Sequence, residues 1–170
     1  MDPRPMYRHD DANPLRRAIR RSAGWKPLSL FYARTLHLID RAVFKLTRGR
    51  ATFTSWLADL PVAWLTTTGA RSGAERTSPV LAIPCGDGRL VVIASNYGQR
   101  NNPAWYHNLR ANPRTRMLFD GHEHDMVARE LDGEERERWY ERGIEIYPGW
   151  VQYRERAQRR IPVIELTPGA

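Results

Sequence analysis

The sequence predicts an α+β domain in which six short strands, mostly joined as hairpins, form a small barrel decorated by helices. Three features indicate this class. Apolar segments of strand length recur between turn signals, helical patterns interrupt the strands, and a last strand returns after the final helix. At 170 residues the chain is one domain by length and can bury a core of its own.

The first 50 residues are expected to form two parts. Residues 1–12 carry prolines and charges with little apolar material, which is typical of a disordered terminus. Residues 13–50 are expected to be a basic amphipathic helical segment, because apolar side chains recur at steps of four and three from Tyr32 to Leu46. This stripe fits either packing on its own domain or docking on an anionic membrane surface.

Positive charge is concentrated in the same segment. Residues 1–50 hold 12 Lys and Arg against 4 Asp and Glu, whereas the other 120 residues hold 15 of each sign. A basic segment on a neutral body suits an anionic partner, such as a membrane leaflet, a nucleic acid or an acidic cofactor tail. A solvated helix surface explains the charge equally well.

Residues 51–170 hold the elements of the predicted barrel. Strands are expected at residues 62–68, 77–83 and 89–95, after Pro61 marks the start of the first. The glycines of the Gly86-Asp87-Gly88 turn join the second and third strands as a hairpin.

The next elements follow the same logic. Pro103 fits the first turn of a helix at residues 103–111, since it lacks only a donor that would be unpaired there. Two strands at residues 114–119 and 122–130 are expected to turn at Asp120-Gly121.

The last third is expected to be mainly helical. Asp132 with Glu135 forms a capping pattern for a helix at residues 134–146. A second helix at 150–160 and a closing strand at 162–166 complete the series.

Composition bears on the compartment. No apolar run approaches the roughly 20 residues of a membrane span, and the arginine-rich start lacks a signal-peptide core. The single cysteine, Cys85, fits a reducing compartment. These features predict a cytoplasmic protein, with peripheral membrane attachment through residues 13–50 as an addition. The sequence leaves open whether the protein is a monomer or a homodimer.

A glycine-containing loop after the first strand has the composition of an anion site. Gly69 and Gly73 permit positive backbone dihedrals and a close approach of a ligand. Arg71 and Arg76 add guanidinium groups, which bind phosphate or carboxylate through several donors. The pattern is neither a P-loop nor a dinucleotide fingerprint. A polar turn with solvated arginines is the alternative that these residues leave open.

A second polar segment follows the third strand and has aromatic neighbours. The strand ends in Ser95-Asn96-Tyr97-Gly98, and Trp105 and Tyr106 follow at the start of the next helix. A strand end, a bend at glycine and an aromatic helix start can together form a wall for a flat ring.

Several motifs resemble those of the deazaflavin-dependent nitroreductase family. They are LTTTGARSG, RTSPV, VVIASNYG, NPAWYHNLRANP, YPGW and IPVIEL, in the order and spacing of the family across residues 13–168. The resemblance implies a split β-barrel, the fold also seen in flavin-binding oxidoreductases. It implies coenzyme F420, an 8-hydroxy-5-deazaflavin, as the cofactor. The implied activity is hydride transfer from the reduced coenzyme to an electron-poor acceptor, namely a quinone, an enone or a nitro compound.

The resemblance also implies the coenzyme contacts. Residues 71–73 and Arg76 match positions that hold the phosphate and acidic tail, and residues 95–98 match the segment whose backbone meets the ring. This chain has Asn96-Tyr97 where the family commonly shows Gly or Lys. The full expected set is Thr68, Arg71, Ser72, Gly73, Arg76, Ser78, Pro79, Ala94, Ser95, Asn96, Tyr97, Gly98, Asn102, Trp105, Tyr106 and Asn108.

Three aromatic residues match the substrate slot of the nitro-reducing members. They are Tyr147, Trp150 and Tyr153, and Trp150 stands where the family usually has a tyrosine, so one hydroxyl is missing. Residues three apart on a helix share a face, so the three can form one wall, and a tyrosine can donate a proton. An aromatic core stripe is the alternative.

Other chemistry finds less support. His122 and His124 share a strand face, but a zinc site lacks its third ligand. His107 has no paired nucleophile apart from Ser95, so a hydrolase is disfavoured. The reactivity is therefore expected to come from a bound coenzyme.

Three alternatives to the deazaflavin enzyme stay open. The barrel could bind FMN as a conventional flavoprotein, or carry a coenzyme or lipid without turnover. The basic residues 1–50 could instead provide the function by binding a membrane or a nucleic acid, although no nucleic acid is expected as a partner of the enzyme.

Overall fold

The computed structural model describes residues 60–169, together with Pro14 and Arg17, which are both helical. The expected disorder of residues 1–12 and the expected helical segment 13–50 lie outside the described residues, apart from those two positions. Both therefore stay predictions.

Six strands form one closed barrel. They are β1 (Val62–Thr68), β2 (Glu75–Pro84), β3 (Leu90–Ile93), β4 (Arg114–Phe119), β5 (His122–Leu131) and β6 (Val163–Pro168). Their order around the barrel is β1-β2-β3-β6-β5-β4, and every neighbouring pair is antiparallel. The expected α+β domain with a small six-stranded barrel is confirmed.

Three helices accompany the barrel. They are α1 (Ala104–Ala111), α2 (Gly133–Ile146) and α3 (Gly149–Ala157), and a single 3₁₀ turn at Asn96–Gly98 precedes α1. In the part of the chain that the structure describes, no helix has the length and apolar character needed to span a bilayer.

The hydrophobic side chains form two cores, one inside the barrel and one outside it. Successive residues of a strand point to opposite faces, so β3 and β6 contribute to both. On β3, Leu90 and Val92 point into the barrel, whereas Val91 and Ile93 point out toward α2 and α3. Burial on both faces explains why these strands read as continuous apolar runs in the sequence.

Helices α2 and α3 are fixed to each other over the outer core. The Tyr140 side chain is fully buried, and its hydroxyl donates to the Trp150 carbonyl oxygen at 2.9 Å. A Cβ atom added at Gly143 would lie 2.6 Å from both the Ile93 side chain and the Trp150 ring. Only glycine therefore lets α2 approach β3 and the Trp150 indole this closely.

Two elements are shorter than the sequence predicts. Helix α3 ends at Ala157 rather than at residue 160, because Gln158 adopts the left-handed conformation with φ 50°. Strand β3 ends at Ile93 rather than at residue 95, because Ser95 is helical and Asn96 and Tyr97 have positive φ. The residues released at both ends belong to the candidate site.

The predicted capping pattern at α2 is wrong in detail. Asp132 is the N-cap residue, but its side chain makes no capping hydrogen bond. Glu135 instead accepts hydrogen bonds from Arg129, which also binds the buried Glu165 carboxylate at 2.7 Å. Arg89 binds the other oxygen of Glu165 at 2.6 Å. This ion-pair network connects β3, β5 and β6 to α2.

Three loops around the candidate site are linked by hydrogen bonds. The loops at 94–103 and 158–162 are in direct contact, because the Ala94 amide donates to the Pro162 carbonyl at 2.9 Å and Arg159 donates to carbonyls of residues 94–101. The loop at 69–74 is joined to the helix that follows residues 94–103, because the Ala70 amide donates to the Asn108 side chain at 3.0 Å.

Candidate active site

The loop at residues 69–74, here called the anion loop, is a closed turn of defined shape. The Gly69 amide donates to the Ala74 carbonyl at 2.9 Å, and the Gly73 amide donates back to the Gly69 carbonyl at 2.8 Å. A Cβ atom at Gly69 would lie 2.7 Å from the Ser72 hydroxyl oxygen, and Gly73 has φ +66°. Both glycines are thus required by the turn itself.

Helix α1 holds the anion loop through one buried side chain. The Ala70 amide donates to the Asn108 Oδ1 atom at 3.0 Å, and the Asn108 Nδ2 atom donates to the Thr67 hydroxyl at 3.0 Å. The sequence placed Asn108 beside the coenzyme ring, whereas its amide is bonded to this loop and to β1. Thr67, which is 1% exposed, was not among the expected site residues.

Two arginines face solvent here, Arg71 in the anion loop and Arg76 just after it in β2. Arg71 and Arg76 are exposed, and neither makes an ion pair with a residue that the structure describes. Ser72 is also exposed, and its hydroxyl accepts a hydrogen bond from the Ala74 amide at 3.3 Å. Two exposed guanidinium groups without carboxylate partners suit an anionic ligand.

The strand residues next to this loop divide between two faces. In the register of β1 with β2, Ser78 lies opposite Leu65 and Arg76 opposite Thr67, so all four share the face that leads into the barrel. Thr68 and Pro79 belong to the opposite face. Thr68 and Ser78, which the sequence placed in one site, therefore point to different sides of the hairpin.

The segment at residues 94–102, here called the ring loop, contains three consecutive residues with positive φ. They are Asn96 (47°), Tyr97 (54°) and Gly98 (74°). The Asn96 Nδ2 atom donates to the Asn101 carbonyl at 3.0 Å and so closes the loop on itself. Non-glycine residues in this conformation cost free energy and are enriched at functional sites.

Gly98 lets the ring loop pack directly on α3. A Cβ atom at this position would lie 3.0 Å from Tyr153 Cα and 3.3 Å from the Tyr153 carbonyl oxygen. The backbone of Gly98 thus packs directly against the backbone of α3 at Tyr153.

Arg159 binds the ring loop, a role that was not expected from the sequence. Its Nε atom donates to the Gln99 carbonyl at 3.1 Å, and its Nη2 atom lies 3.1–3.2 Å from the carbonyls of Ala94, Ser95 and Asn101. Burial lowers the pKa of this guanidinium, but arginine stays charged in proteins. Nothing in the sequence distinguishes Arg159 from Arg160; only the fold does.

The three expected substrate residues form one aromatic cluster with Tyr97. The ring centroid of Tyr147 lies 5.7 Å from that of Trp150 and 5.9 Å from that of Tyr153, and Tyr97 lies 6.3 Å from Tyr153. The expectation of one helix face is wrong, because Tyr147 is the C-cap of α2, two residues before α3 begins. The junction of the two helices creates the cluster.

Polar groups within the aromatic cluster are paired with one another. The Tyr147 and Tyr153 hydroxyls are 3.0 Å apart, and the Trp150 Nε1 atom donates to the Ser95 hydroxyl at 3.2 Å. Burial raises the pKa of Tyr147 well above its ordinary value, and Tyr153 adds to the effect. Burial also raises the pKa of Tyr153. Both phenols are therefore protonated at neutral pH.

Trp105 and Tyr106 are used mainly by the barrel. Both belong to the interior core, and the Tyr106 hydroxyl donates to the Glu130 carboxylate at 3.0 Å. Burial and this carboxylate raise the pKa of Tyr106. Their contact with a coenzyme ring stays a prediction.

Asn102 supplies an independent sign of a ligand. Its Oδ1 atom is buried, yet it has no hydrogen-bond partner among the described residues. Buried polar atoms are normally paired, because an unpaired one keeps its desolvation cost. An acceptor of this kind beside the ring loop fits a bound molecule with an N–H or O–H group, such as the expected coenzyme.

The remaining candidates form no site. The His122 and His124 rings are 6.4 Å apart on an exposed strand face, and no group of three or more metal-binding side chains occurs within residues 60–169. Burial raises the pKa of the Cys85 thiol to about 12, so the thiolate needed for nucleophilic chemistry does not form near neutral pH.

A closed antiparallel barrel of six strands with the anion loop, the ring loop and the aromatic cluster is the architecture expected of a small split-barrel reductase. The F420H(2)-dependent quinone reductase family model matches residues 40–168. This match covers most of the chain, and the chain belongs to that family.

Known relatives agree with this assignment. The F420H(2)-dependent quinone reductase Rv1261c of Mycobacterium tuberculosis is 32% identical over 110 residues, which are 63% of this chain and 73% of that protein. The solved structure of an F420-H2 dependent reductase, FDR-A, is 37% identical with a TM-score of 0.58 and covers 63% of this chain and 94% of that one. A structure described as a domain-swapped dimer is 33% identical with a TM-score of 0.61 and covers 75% and 95%.

The expected family, split-barrel fold, coenzyme and class of activity are thereby confirmed. The protein is an F420-dependent reductase. The individual coenzyme and substrate contacts stay predictions.

Proposed function

We propose that this protein reduces a flat, electron-poor acceptor of the quinone class with reduced coenzyme F420, at the barrel end that carries the anion loop and the ring loop. One observation carries the proposal. Helix α1 joins the two loops, since it follows the ring loop directly and binds the anion loop through Asn108. This connection would hold an anion anchor and an aromatic wall at a fixed separation, as a phosphate-bearing cofactor with a flat ring requires.

The coenzyme end of this site would be held by charge and backbone. Arg71 and Arg76 would bind the phosphate and the acidic tail; their exposure and the absence of a described ion-pair partner support this role. The backbone of the ring loop would lie against the deazaflavin ring, and the Asn102 Oδ1 atom would accept a hydrogen bond from it. When bound, the reduced coenzyme supplies a hydride.

The acceptor end would be formed by the aromatic cluster. A quinone takes up one hydride and one proton to become a hydroquinone, so the site needs a proton donor. The Tyr147 and Tyr153 hydroxyls share a hydrogen bond at 3.0 Å and carry raised pKa values, so each keeps its proton at neutral pH. Raised pKa values make these phenols weak acids, so they would hydrogen-bond the acceptor oxygen and the proton would be drawn from solvent.

The apolar character of the cluster favours quinones. Tyr147, Trp150 and Tyr153 pack in the outer core and are each less than 7% exposed, so a quinone that stacks on them would require this part of the core to open locally. Enones and nitro compounds are electron-poor acceptors of similar size and remain within the proposed range.

The test is a parallel titration of the full-length protein with oxidised coenzyme F420 and with FMN, followed by ligand fluorescence. We expect clear preference for the deazaflavin. Arg71→Glu should weaken its binding at least about tenfold, since it reverses the charge at the anchor. Arg138→Glu makes the same charge change on the exposed surface of α2 and should leave the affinity unchanged.

Other outcomes of this titration would redirect the proposal. Preference for FMN would indicate a conventional flavoprotein. Equal weakening by Arg71→Glu and Arg138→Glu would remove Arg71 from the anchor. Tight binding of coenzyme F420 without reduction of any acceptor would indicate a carrier.

Docking of residues 13–50 on an anionic membrane stays a proposal based on their charge alone. Sedimentation with phosphatidylglycerol-containing liposomes tests it. We expect the full chain to sediment and a chain lacking residues 1–50 to stay in solution; equal behaviour of both would refute it.

A further inference from the structure

We propose that Arg159 is a positioning residue, which holds the ring loop in the shape that the coenzyme ring needs. This inference rests on the proposed function, because it concerns the same site. It assigns a role to a residue that no motif of the sequence singles out.

The guanidinium of Arg159 contacts four backbone carbonyls of the ring loop at once. One guanidinium donates to carbonyls at both ends of the ring loop, at Ala94 and Ser95 on one side and at Gln99 and Asn101 on the other. Four carbonyl oxygens that face one point repel one another unless a cation lies between them. The arginine therefore replaces a repulsion with charge-assisted hydrogen bonds.

The segment between these anchors is one that needs such support. It contains Asn96 and Tyr97, both with positive φ, and such residues persist only where their surroundings enforce the conformation. Within the loop, the Gly98 amide donates to the Ser95 carbonyl at 2.9 Å and the Gln99 amide donates to the Asn96 carbonyl at 3.0 Å. Those two hydrogen bonds define a single turn, and Arg159 connects both ends of this turn to the segment that follows α3.

Both ends of the loop lead directly to groups of the candidate site. Ser95 accepts a hydrogen bond from Trp150 in the aromatic cluster, and Asn101 precedes Asn102 with its unpaired oxygen. Arg159 thus fixes the backbone that presents both groups. The left-handed Gln158 ends α3 one residue earlier and turns Arg159 toward the loop instead of along the helix.

A purely structural role predicts something different. Among the residues that the structure describes, Arg159 donates hydrogen bonds to the ring loop and, at 3.4 Å, to the neighbouring Arg160 carbonyl. The barrel strands receive none. Removal of this side chain should therefore loosen the loop and leave the barrel intact.

Amide hydrogen exchange of the full chain without coenzyme tests this directly. In Arg159→Met we expect the Gly98 and Gln99 amides to exchange at least roughly tenfold faster. The barrel amides of Ala82 and Ala128, which donate to carbonyls at 2.8 and 2.9 Å, should keep their rates. Arg160→Met is the matched control and should behave as wild type, because Arg160 is exposed and its side chain has no described partner.

Coenzyme binding supplies the second readout. The dissociation constant for oxidised coenzyme F420 should rise roughly tenfold in Arg159→Met, and added guanidinium ion at non-denaturing concentration should restore part of the affinity. The dissociation constant of Arg159→Lys should lie between those of the wild type and Arg159→Met, since an ammonium group has three donors but not the planar geometry of a guanidinium. If Arg159→Met does not fold, Arg159→Lys is compared with the wild type in its place, for both amide exchange and coenzyme affinity.

Each other outcome would overturn the inference. Unchanged exchange at Gly98 and Gln99 would show that Arg159 does not hold the loop. Equal acceleration at Ala82 and Ala128 would show a general structural role. A wild-type protein that binds no deazaflavin would instead overturn the proposed function and, with it, the role of the loop in coenzyme binding.

Discussion

Replacing Asn108 by alanine would separate the anion loop from helix α1. The Asn108 side chain is 8% exposed and makes two hydrogen bonds of 3.0 Å, one from the Ala70 amide and one to the Thr67 hydroxyl. The Ala70 amide lies near solvent and can find water in the variant. The Thr67 hydroxyl is buried and keeps only its 3.4 Å contact with the Arg76 carbonyl.

These contacts set the size of the expected effect. Two lost neutral hydrogen bonds, one of which leaves a buried partner, correspond to about 2 kcal/mol of unfolding free energy. For a chain of this length, that loss lowers the melting temperature by about 4–8 °C. A loosened loop must also be ordered when the coenzyme binds, so the dissociation constant should rise by about tenfold.

Differential scanning calorimetry and a fluorescence titration with oxidised coenzyme F420 measure the two effects. His107→Ala is the control, because His107 is exposed on the same helix, and its melting temperature should change by less than about 2 °C. A variant Asn108→Ala that melts like wild type and binds the coenzyme equally well would refute the view that α1 fixes the anion loop.

Three further predictions concern the aromatic cluster and the ion-pair network. Trp150→Phe removes the donor to Ser95 but keeps an aromatic ring, so it should lower turnover more than it weakens coenzyme binding; the reverse pattern in steady-state kinetics would move Trp150 out of the acceptor site. Glu165→Ala should lower the free energy of unfolding in urea by about 2 kcal/mol. This loss is modest for a buried carboxylate because Arg89 and Arg129 both reach solvent. An unchanged midpoint of urea unfolding would contradict the ion-pair network. Folding raises the pKa of Tyr147. The contribution of Tyr147 to stability is therefore fully present below the pKa of unfolded tyrosine, about 10, and is lost as the pH rises above that value. The melting temperature of Tyr147→Phe should depend less on pH above about 10 than that of the wild type.

The barrel could be predicted from the sequence because its strands are separated by strong turn signals. Strands β1 and β4 have the predicted bounds, since Pro61 with Gly69 and Pro113 with Asp120 delimit them. The closure of six strands into one barrel was expected from hairpin pattern and family resemblance together. The apolar pattern alone predicts only pairings between consecutive strands, and it does not predict that β3 pairs with β6 or β1 with β4.

The site could be predicted only as a set of residues. The aromatic cluster was expected, but its basis in one helix face was wrong, because the α2–α3 junction brings Tyr147 to Trp150 and Tyr153. Asn108 was expected at the ring, yet it bonds to residues 38 and 41 positions away. Pairings at such separation depend on the folded backbone, which local patterns do not encode.

The arginines show the same limit. From residue 51 onward the chain has no lysine and 15 arginines, and Arg159 resembles its neighbours in size and charge. A single backbone conformation at Gln158 decides that it reaches the ring loop. Left-handed φ at a non-glycine residue has no reliable signature in one sequence.

The most direct test of the central claim is anaerobic oxidation of reduced coenzyme F420 by a soluble quinone, followed by the return of deazaflavin absorbance. We predict a reaction that depends on the protein, saturates with quinone and slows at least about tenfold in Arg71→Glu at subsaturating coenzyme. A protein that binds the coenzyme but does not accelerate its oxidation by quinones, enones or nitro compounds would contradict the claim.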